Sequence, residues 1–216
     1  MSIPPTPPDV SPNQPTVDEL LAETGWQGHA AGPRSTLLTA AVERVRALDV
    51  LDDAIVAVER RTAPLREGAL GHVLGGDWLG HAVHPMLTDI PIGCWTSASI
   101  LDVVGGTRSR PAAQRLVGLG ILSVVPTALT GWSEWSRIAA PELRRVGLVH
   151  AIGNAAATGL YAISWNSRRK GHQTRGAVTA FAGMGVATGA GLLGGYLLSA
   201  RGVGTGARGL PPTHVG

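Results

Sequence analysis

Residues 81–106, HAVHPMLTDIPIGCWTSASILDVVGG, decide how the rest of the chain is read. They set His81, His84, Pro85, Asp89, Pro91 and Asp102 in and around one apolar run, from Met86 to about Gly105. Pro85 suits the first turn of a helix, where a missing N–H costs nothing. Three further apolar runs follow, at 116–132, 146–165 and 177–199, and none of them holds a charged residue. A bilayer core needs about 20 predominantly apolar residues per helix. Four such runs in succession predict four spans. The connections at 107–115, 133–145 and 166–176 are too short to carry domains, so neighbouring helices must run antiparallel. The expected fold class is all-α: an integral membrane antiparallel four-helix bundle preceded by an amphipathic helix.

Composition supports a membrane address. Of 216 residues only 15% are charged, and 30 are glycine. Small residues suit membrane helices, where lipid gives no hydrophobic drive and close backbone approach does the packing. The last run carries two small-residue faces, Gly185 with Gly189 and Gly191 with Gly195. The formal charge of +3 is modest, and the basic residues sit in short clusters between apolar runs. They read as topology determinants and not as a nucleic-acid footprint. The lone Cys94 excludes an internal disulfide and any cysteine-based cluster. No nucleotide fingerprint, phosphate loop or nucleophile–base pair stands out, so no catalytic residue is assigned, and no metal set either.

Four regions follow along the chain: a disordered, proline-rich tail and loop at 1–34, an amphipathic helix and glycine-rich loop at 35–80, the four-span domain at 81–200, and a flexible tail at 201–216. Ser35 is a candidate N-cap for one long helix, whose apolar stripe runs through Leu38, Val42, Val45, Leu48, Leu51, Ile55 and Val58. Pro64 ends it. That helix lies on the membrane surface or docks on the bundle, or it is half of a small soluble helical cap.

Helical rise places the polar residues of the spans. Counting inward from the end that holds the 133–145 connection, Asp89, Thr127, His150 and Tyr196 each fall five residues deep, roughly 7 Å at 1.5 Å per residue. Asn154 is one turn deeper on the face of His150, and His81, His84, Trp132 and Glu134 lie above. An acid in hydrocarbon costs at least about 2.5 kcal/mol, so Asp89 needs a partner, and His150 is the expected one. Pro91 and Pro126 would free carbonyls near this layer, or they are simple packing kinks. The layer is either a proton-handling or ligand-binding pocket or a hydrogen-bond cluster that locks helix register. Two histidines on different helices also permit a b-type haem iron held by His84 and His150, with His81 as substitute. A zinc site from His81, His84 and one acid would require the helix to start before Pro85. A small transporter would need the polar path to continue from Asp89 to Asp102, past Cys94, Thr96 and Ser99.

Orientation is argued two ways. Arg108, Arg110, Arg115, Arg168, Arg169, Lys170 and Arg175 favour a cytoplasmic location for the far end. The long leader before the first span favours both termini in the cytoplasm, and the leader decides the reading.

The string LGHAVHPMLTDIPIGCWTSASILDVVGG resembles a bacterial membrane family of unknown function, and the likeness continues in RLVGLGILSVVPTALTGWSEW, RRVGLVHAIGNAAATGLYAISW and LLGGYLL. It covers roughly Leu48 to Gly204. Many members look like an N-terminal module fused to a Rieske [2Fe–2S] domain, which implies proximity to electron transfer and a place in the bacterial inner membrane. This sequence departs from the pattern where members often read G-G-H-L and it has Gly194, Gly195, Tyr196 and Leu197. It also ends near where the iron–sulfur domain would begin. With one cysteine it cannot hold that cluster, which needs two Cys and two His. The expected role is a redox-associated membrane module, with a separate Rieske or other redox protein as partner. The alternatives are a non-catalytic scaffold or a small transporter.

Overall fold

The computed structural model describes residues 36–201. The proline-rich tail and the C-terminal tail expected from the sequence, and the Ser35 cap, lie outside the described residues. The chain divides into two units, Met1–Ala40 and Ala41–Gly216, and the second holds all the long helices. Every regular element among the described residues is helical: α1 (Thr36–Arg46), α2 (Asp52–Thr62), α3 (Gly68–Gly75), α4 (Val83–Val104), α5 (Arg110–Trp135), α6 (Pro141–Arg169) and α7 (Gln173–Arg201).

The single amphipathic helix expected up to Pro64 is two helices. α1 ends on Arg44 and Arg46, and after a 3-10 turn α2 begins on Asp52 and Asp53. Basic residues suit a helix C-terminus and acids suit an N-terminus, because each opposes the local end of the helix dipole. That basic-to-acidic switch breaks the helix although the apolar stripe runs on. Pro64 sits in the 3-10 turn Ala63–Leu65 that closes α2. The expected glycine-rich loop contains α3. Its carbonyls are drawn together from outside, since Arg137 donates from Nη2 to the Gly71 carbonyl at 2.6 Å. Gly76 then ends the helix in the left-handed region, with φ of 76°.

α2 and α3 dock on the junction between α5 and α6. Arg145 grips Asp52 at 2.8 and 2.7 Å and donates to the Arg46 carbonyl at 2.7 Å. Arg144 reaches Glu59 at 3.0 Å, and Arg66 donates to the Ser136 carbonyl at 3.2 Å. An apolar cluster of Ile55, Trp135, Ile138 and Leu148 lies beneath these contacts. Arginines expected to act only as topology signals are therefore also docking groups.

Three helical segments are long and apolar enough to cross a membrane: Thr107–Trp135, Pro141–Arg169 and Gln173–Leu198. α4 is not among them. α4 packs mainly along α5, and α6 along α7, with lesser contact between α5 and α6 and between α4 and α7. The polarity of these helices is inverted relative to a water-soluble core. Ser99, Thr127, Thr130, Ser133 and Ser164 are buried, while Ile92, Val103, Leu122, Val125, Ile152 and Val178 are exposed. Some of the small hydroxyls inside bond to their own helix, as Ser99 does to the Trp95 carbonyl at 3.0 Å and Thr130 to the Thr127 carbonyl at 2.9 Å. Large apolar side chains outside suit lipid.

Candidate functional site: a histidine pair between two hairpins

The site starts from two imidazoles on different helices. His84 stands in the first turn of α4, and its Nδ1 donates to the Thr127 carbonyl on α5 at 2.9 Å. His150, two turns into α6, donates from Nδ1 to the Ala190 carbonyl on α7 at 2.8 Å. A carbonyl only accepts, so each ring carries its hydrogen on Nδ1 and keeps the lone pair on Nε2. The ring centroids are 6.4 Å apart and the planes are 88° to one another.

Glycine on the facing helix makes room for each ring. A Cβ on Gly131 would lie 2.8 Å from the His84 ring, and one on Gly194 would lie 2.7 Å from the His150 ring. Neither glycine is needed for its backbone angles. Each is needed because an imidazole fills the space a side chain would take.

Neighbouring groups complete the layer. Pro91 has no N–H to give the Leu87 carbonyl, and the Thr127 hydroxyl lies 3.2 Å from that acceptor while sharing its one hydrogen with the Ser123 carbonyl at 2.8 Å. Thr130 donates to the Thr127 carbonyl at 2.9 Å. Asn154 donates from Nδ2 to His150 Nε2 at 3.1 Å and to the His150 carbonyl at 3.0 Å. The freed carbonyl expected at Pro91 is thus present and answered.

The expected residues divide as follows. His84, His150, Asn154 and Thr127 come together. Asp89 does not join them: it is exposed on α4, with no hydrogen bond or ion pair among the described residues, so the expected Asp89–His150 pairing is not formed. Equal depth put the two at one level, but α4 turns Asp89 to the outer face while it turns His84 inward. His81 is exposed in the loop before α4 and lies outside the pair. Trp132 is half-buried, edge-on to Trp135 at 5.4 Å. Glu134 and Tyr196 are also half-buried, Tyr196 near the Arg46 guanidinium. Among the described residues no three His, Cys, Asp or Glu side chains converge as a metal set, so the zinc arrangement of His81, His84 and an acid is not assembled.

Two further pairs between α4 and α6 were not anticipated. Trp95 stacks flat on Tyr161, with centroids 3.9 Å apart and planes 11° from parallel. Nearer the far end, Arg168 holds Asp102 with two hydrogen bonds, and both side chains are buried. A charge in an apolar run needs an opposite charge at its depth, and that signal alone could have matched Asp102 with Arg168.

In length alone, the 6.4 Å between the ring centroids matches one metal ion held between two imidazoles. Metal–imidazole bonds are about 2.0–2.1 Å, and two such bonds in line, plus the ring radii, span about the observed centroid separation. Each Nδ1–H is anchored to a carbonyl, the support that orients ligand histidines, while the Nε2 of His150 is met by the Asn154 amide at 3.1 Å.

A family model described as a predicted membrane protein, DUF2231, matches residues 80–207, more than half of the chain. No curated protein and no solved structure matches.

Proposed function

Since the chain belongs to this family of predicted membrane proteins, we propose that it is a redox-associated membrane module. In this reading it crosses the bilayer four times and holds a b-type haem iron between His84 and His150. The observation that carries the haem assignment is the paired tethering of Nδ1 to the Thr127 and Ala190 carbonyls, with the rings 6.4 Å apart. The iron would supply one-electron chemistry. The chain's own part is to present two neutral imidazoles, fix their planes nearly perpendicular, and cover that end with α2 and α3. A separate Rieske or other redox protein would exchange the electron.

The fourth span in this reading is α4. It carries Asp102 and Asp89, yet it turns Ile90, Ile92, Ile100, Val103 and Val104 outward like the apolar helices beside it. Its Asp102 is neutralised by Arg168. We place the protein in a bacterial inner membrane with both termini cytoplasmic.

One observation favours a second reading, a scaffold in which the same groups only fix helix register. Asn154 occupies His150 Nε2 at 3.1 Å, so coordination requires that amide to turn away. An absorption spectrum of the protein purified in detergent from haem-replete cells separates the two. A Soret band lost in both His84→Ala and His150→Ala supports the haem reading. A colourless protein whose His150→Ala variant merely melts earlier supports the scaffold.

A further inference from the structure

The contacts between α4 and α6 follow a rule. His84 meets His150, Trp95 meets Tyr161, and Asp102 meets Arg168. Each pair is separated by 66 residues in the chain. Three more positions on the same face of α4 are 88, 91 and 98, and they have Asn154, Ala157 and Ser164 at the same separation on α6. Pro91, Ala98, Ala157 and Ser164 are all buried. The six positions fall at i, i+4, i+7, i+11, i+14 and i+18, one continuous helix face.

α5 and α7 repeat the rule. The acceptors of the two imidazoles are Thr127 and Ala190, and the glycines beneath them are Gly131 and Gly194. Under the stacked rings lie Gly120 and Gly183. A Cβ on Gly120 would lie 2.3 Å from the Trp95 indole, and one on Gly183 would lie 3.0 Å from the Tyr161 ring. Val117 and Ala180 are both fully buried in the cluster around that stack. All four pairs differ by 63 in number, so the second hairpin only has a turn three residues shorter.

A residue touches its own counterpart only on a two-fold axis. Chance pairing would not return one separation for three unlike contacts and a second constant separation for their supports. We infer that α4–α5 and α6–α7 are two copies of one helical hairpin, related by a two-fold axis between α4 and α6. His84 and His150 then form the ligand site on that axis, suited to a ligand with two opposed coordination positions, as a six-coordinate metal ion has. The ligand half rests on the two-imidazole reading above; the repeat does not. The repeat also assigns α4 a crossing of its own, because its counterpart α6 lies within one of the three apolar segments. Two helices per copy make the copies parallel, with the axis along the membrane normal. Identical acids at the Asp102 and Arg168 positions would repel across the axis, and the divergence to opposite charges removes that conflict.

The full-length protein in detergent tests this. Exchanging the stacked rings, Trp95→Tyr with Tyr161→Trp, keeps the melting temperature within about 4 °C of the parent, because each ring finds an equivalent glycine seat. Trp95→Ala and Tyr161→Ala each lower it by more. An exchange variant that melts as low as either alanine variant overturns the repeat. A second measurement does not depend on that variant folding. With Cys94→Ser, Ala98→Cys and Ser164→Cys form an intramolecular disulfide under mild oxidation, and Ala98→Cys with Ile163→Cys does not; the reverse result overturns the repeat. A tolerated exchange in a protein that takes up no haem keeps the repeat and sinks the haem site. A Soret band in a protein that fails both tests does the opposite. For the site itself, haem content falls by the same factor in His84→Ala and His150→Ala, and a loss confined to one of them overturns a two-sided site.

Discussion

Arg168 holds Asp102 at 2.7 and 2.5 Å from its two terminal nitrogens, with the arginine only 2% exposed. The pair sits eighteen residues along α4 from His84, about 27 Å of helical rise. It is the far anchor of the contact that begins at the histidines. Ser164 accepts from Arg168 Nε at 3.1 Å and passes its own hydrogen to the Gly176 carbonyl at 2.6 Å, which brings α7 into the same knot.

Breaking that anchor on one side should be severe. Asp102→Asn or Arg168→Ala leaves the other charge buried and unanswered, at a cost of roughly 3–5 kcal/mol. Thermal melts in detergent should show the loss in each single variant. Asp102→Leu with Arg168→Met should recover much of it, since a well-packed apolar pair can replace a buried ion pair. A double variant no better than the singles would show that the charges do more than neutralise each other.

Gly194→Ala should displace the His150 imidazole. The new methyl would sit 2.7 Å from the ring with the α7 backbone behind it, and crowding of this kind costs about 1–3 kcal/mol. The expected result is a lower melting temperature and an altered or absent haem spectrum. Gly195→Ala, where a Cβ meets nothing within 4 Å, is the control and should change neither.

Asp89→Leu should be tolerated or stabilising. The carboxyl is exposed on α4 without a polar partner among the described residues, and an acid at the lipid face costs up to about 2.5–3.5 kcal/mol at mid-bilayer. Melts of the variant in nanodiscs should be unchanged or higher, and a clear fall would mean that Asp89 has a partner after all.

Docking of α2 should weaken in acid. The hydrogen bonds from Arg145 hold the Asp52 carboxyl below its ordinary value. A depressed carboxyl contributes fully above its unfolded value near pH 3.9 and loses the contribution as pH falls through the lower folded value. Asp52 is half-exposed, so the effect is small and screened by salt. Spin labels at Val56→Cys and Ala139→Cys, with Cys94→Ser, should separate as pH falls below about 4. In Asp52→Asn that acid step should be missing.

The sequence reads best where long apolar runs leave one choice. All four long helices appear near the expected runs, and α5, α6 and α7 extend by a turn or more into flanks such as 110–115 and 141–145. α3 was illegible because glycine counts against a helix unless a distant side chain, here Arg137, takes its carbonyl. At the site, depth was legible and direction was not. Five residues of rise put Asp89 and His150 at one level, but rise says nothing of rotation, and a helix turns about 100° per residue. His84, one face away from Asp89, became the neighbour of His150 instead. The spacing of His84, Trp95 and Asp102 matches that of His150, Tyr161 and Arg168, and it was present in the sequence. Unlike residues at the matched positions concealed it, since only the histidine is the same in both.

The indole of Trp95 and the phenol ring of Tyr161 lie flat together at 3.9 Å, 6% and 1% exposed, midway between the imidazoles and the ion pair. Two aromatic faces in contact leave no gap for water, so a file of solvent entering from the histidine end stops there. Ions and protons would find no wet path between these two rings, whereas an electron, which needs no such channel, would not be stopped by the same barrier.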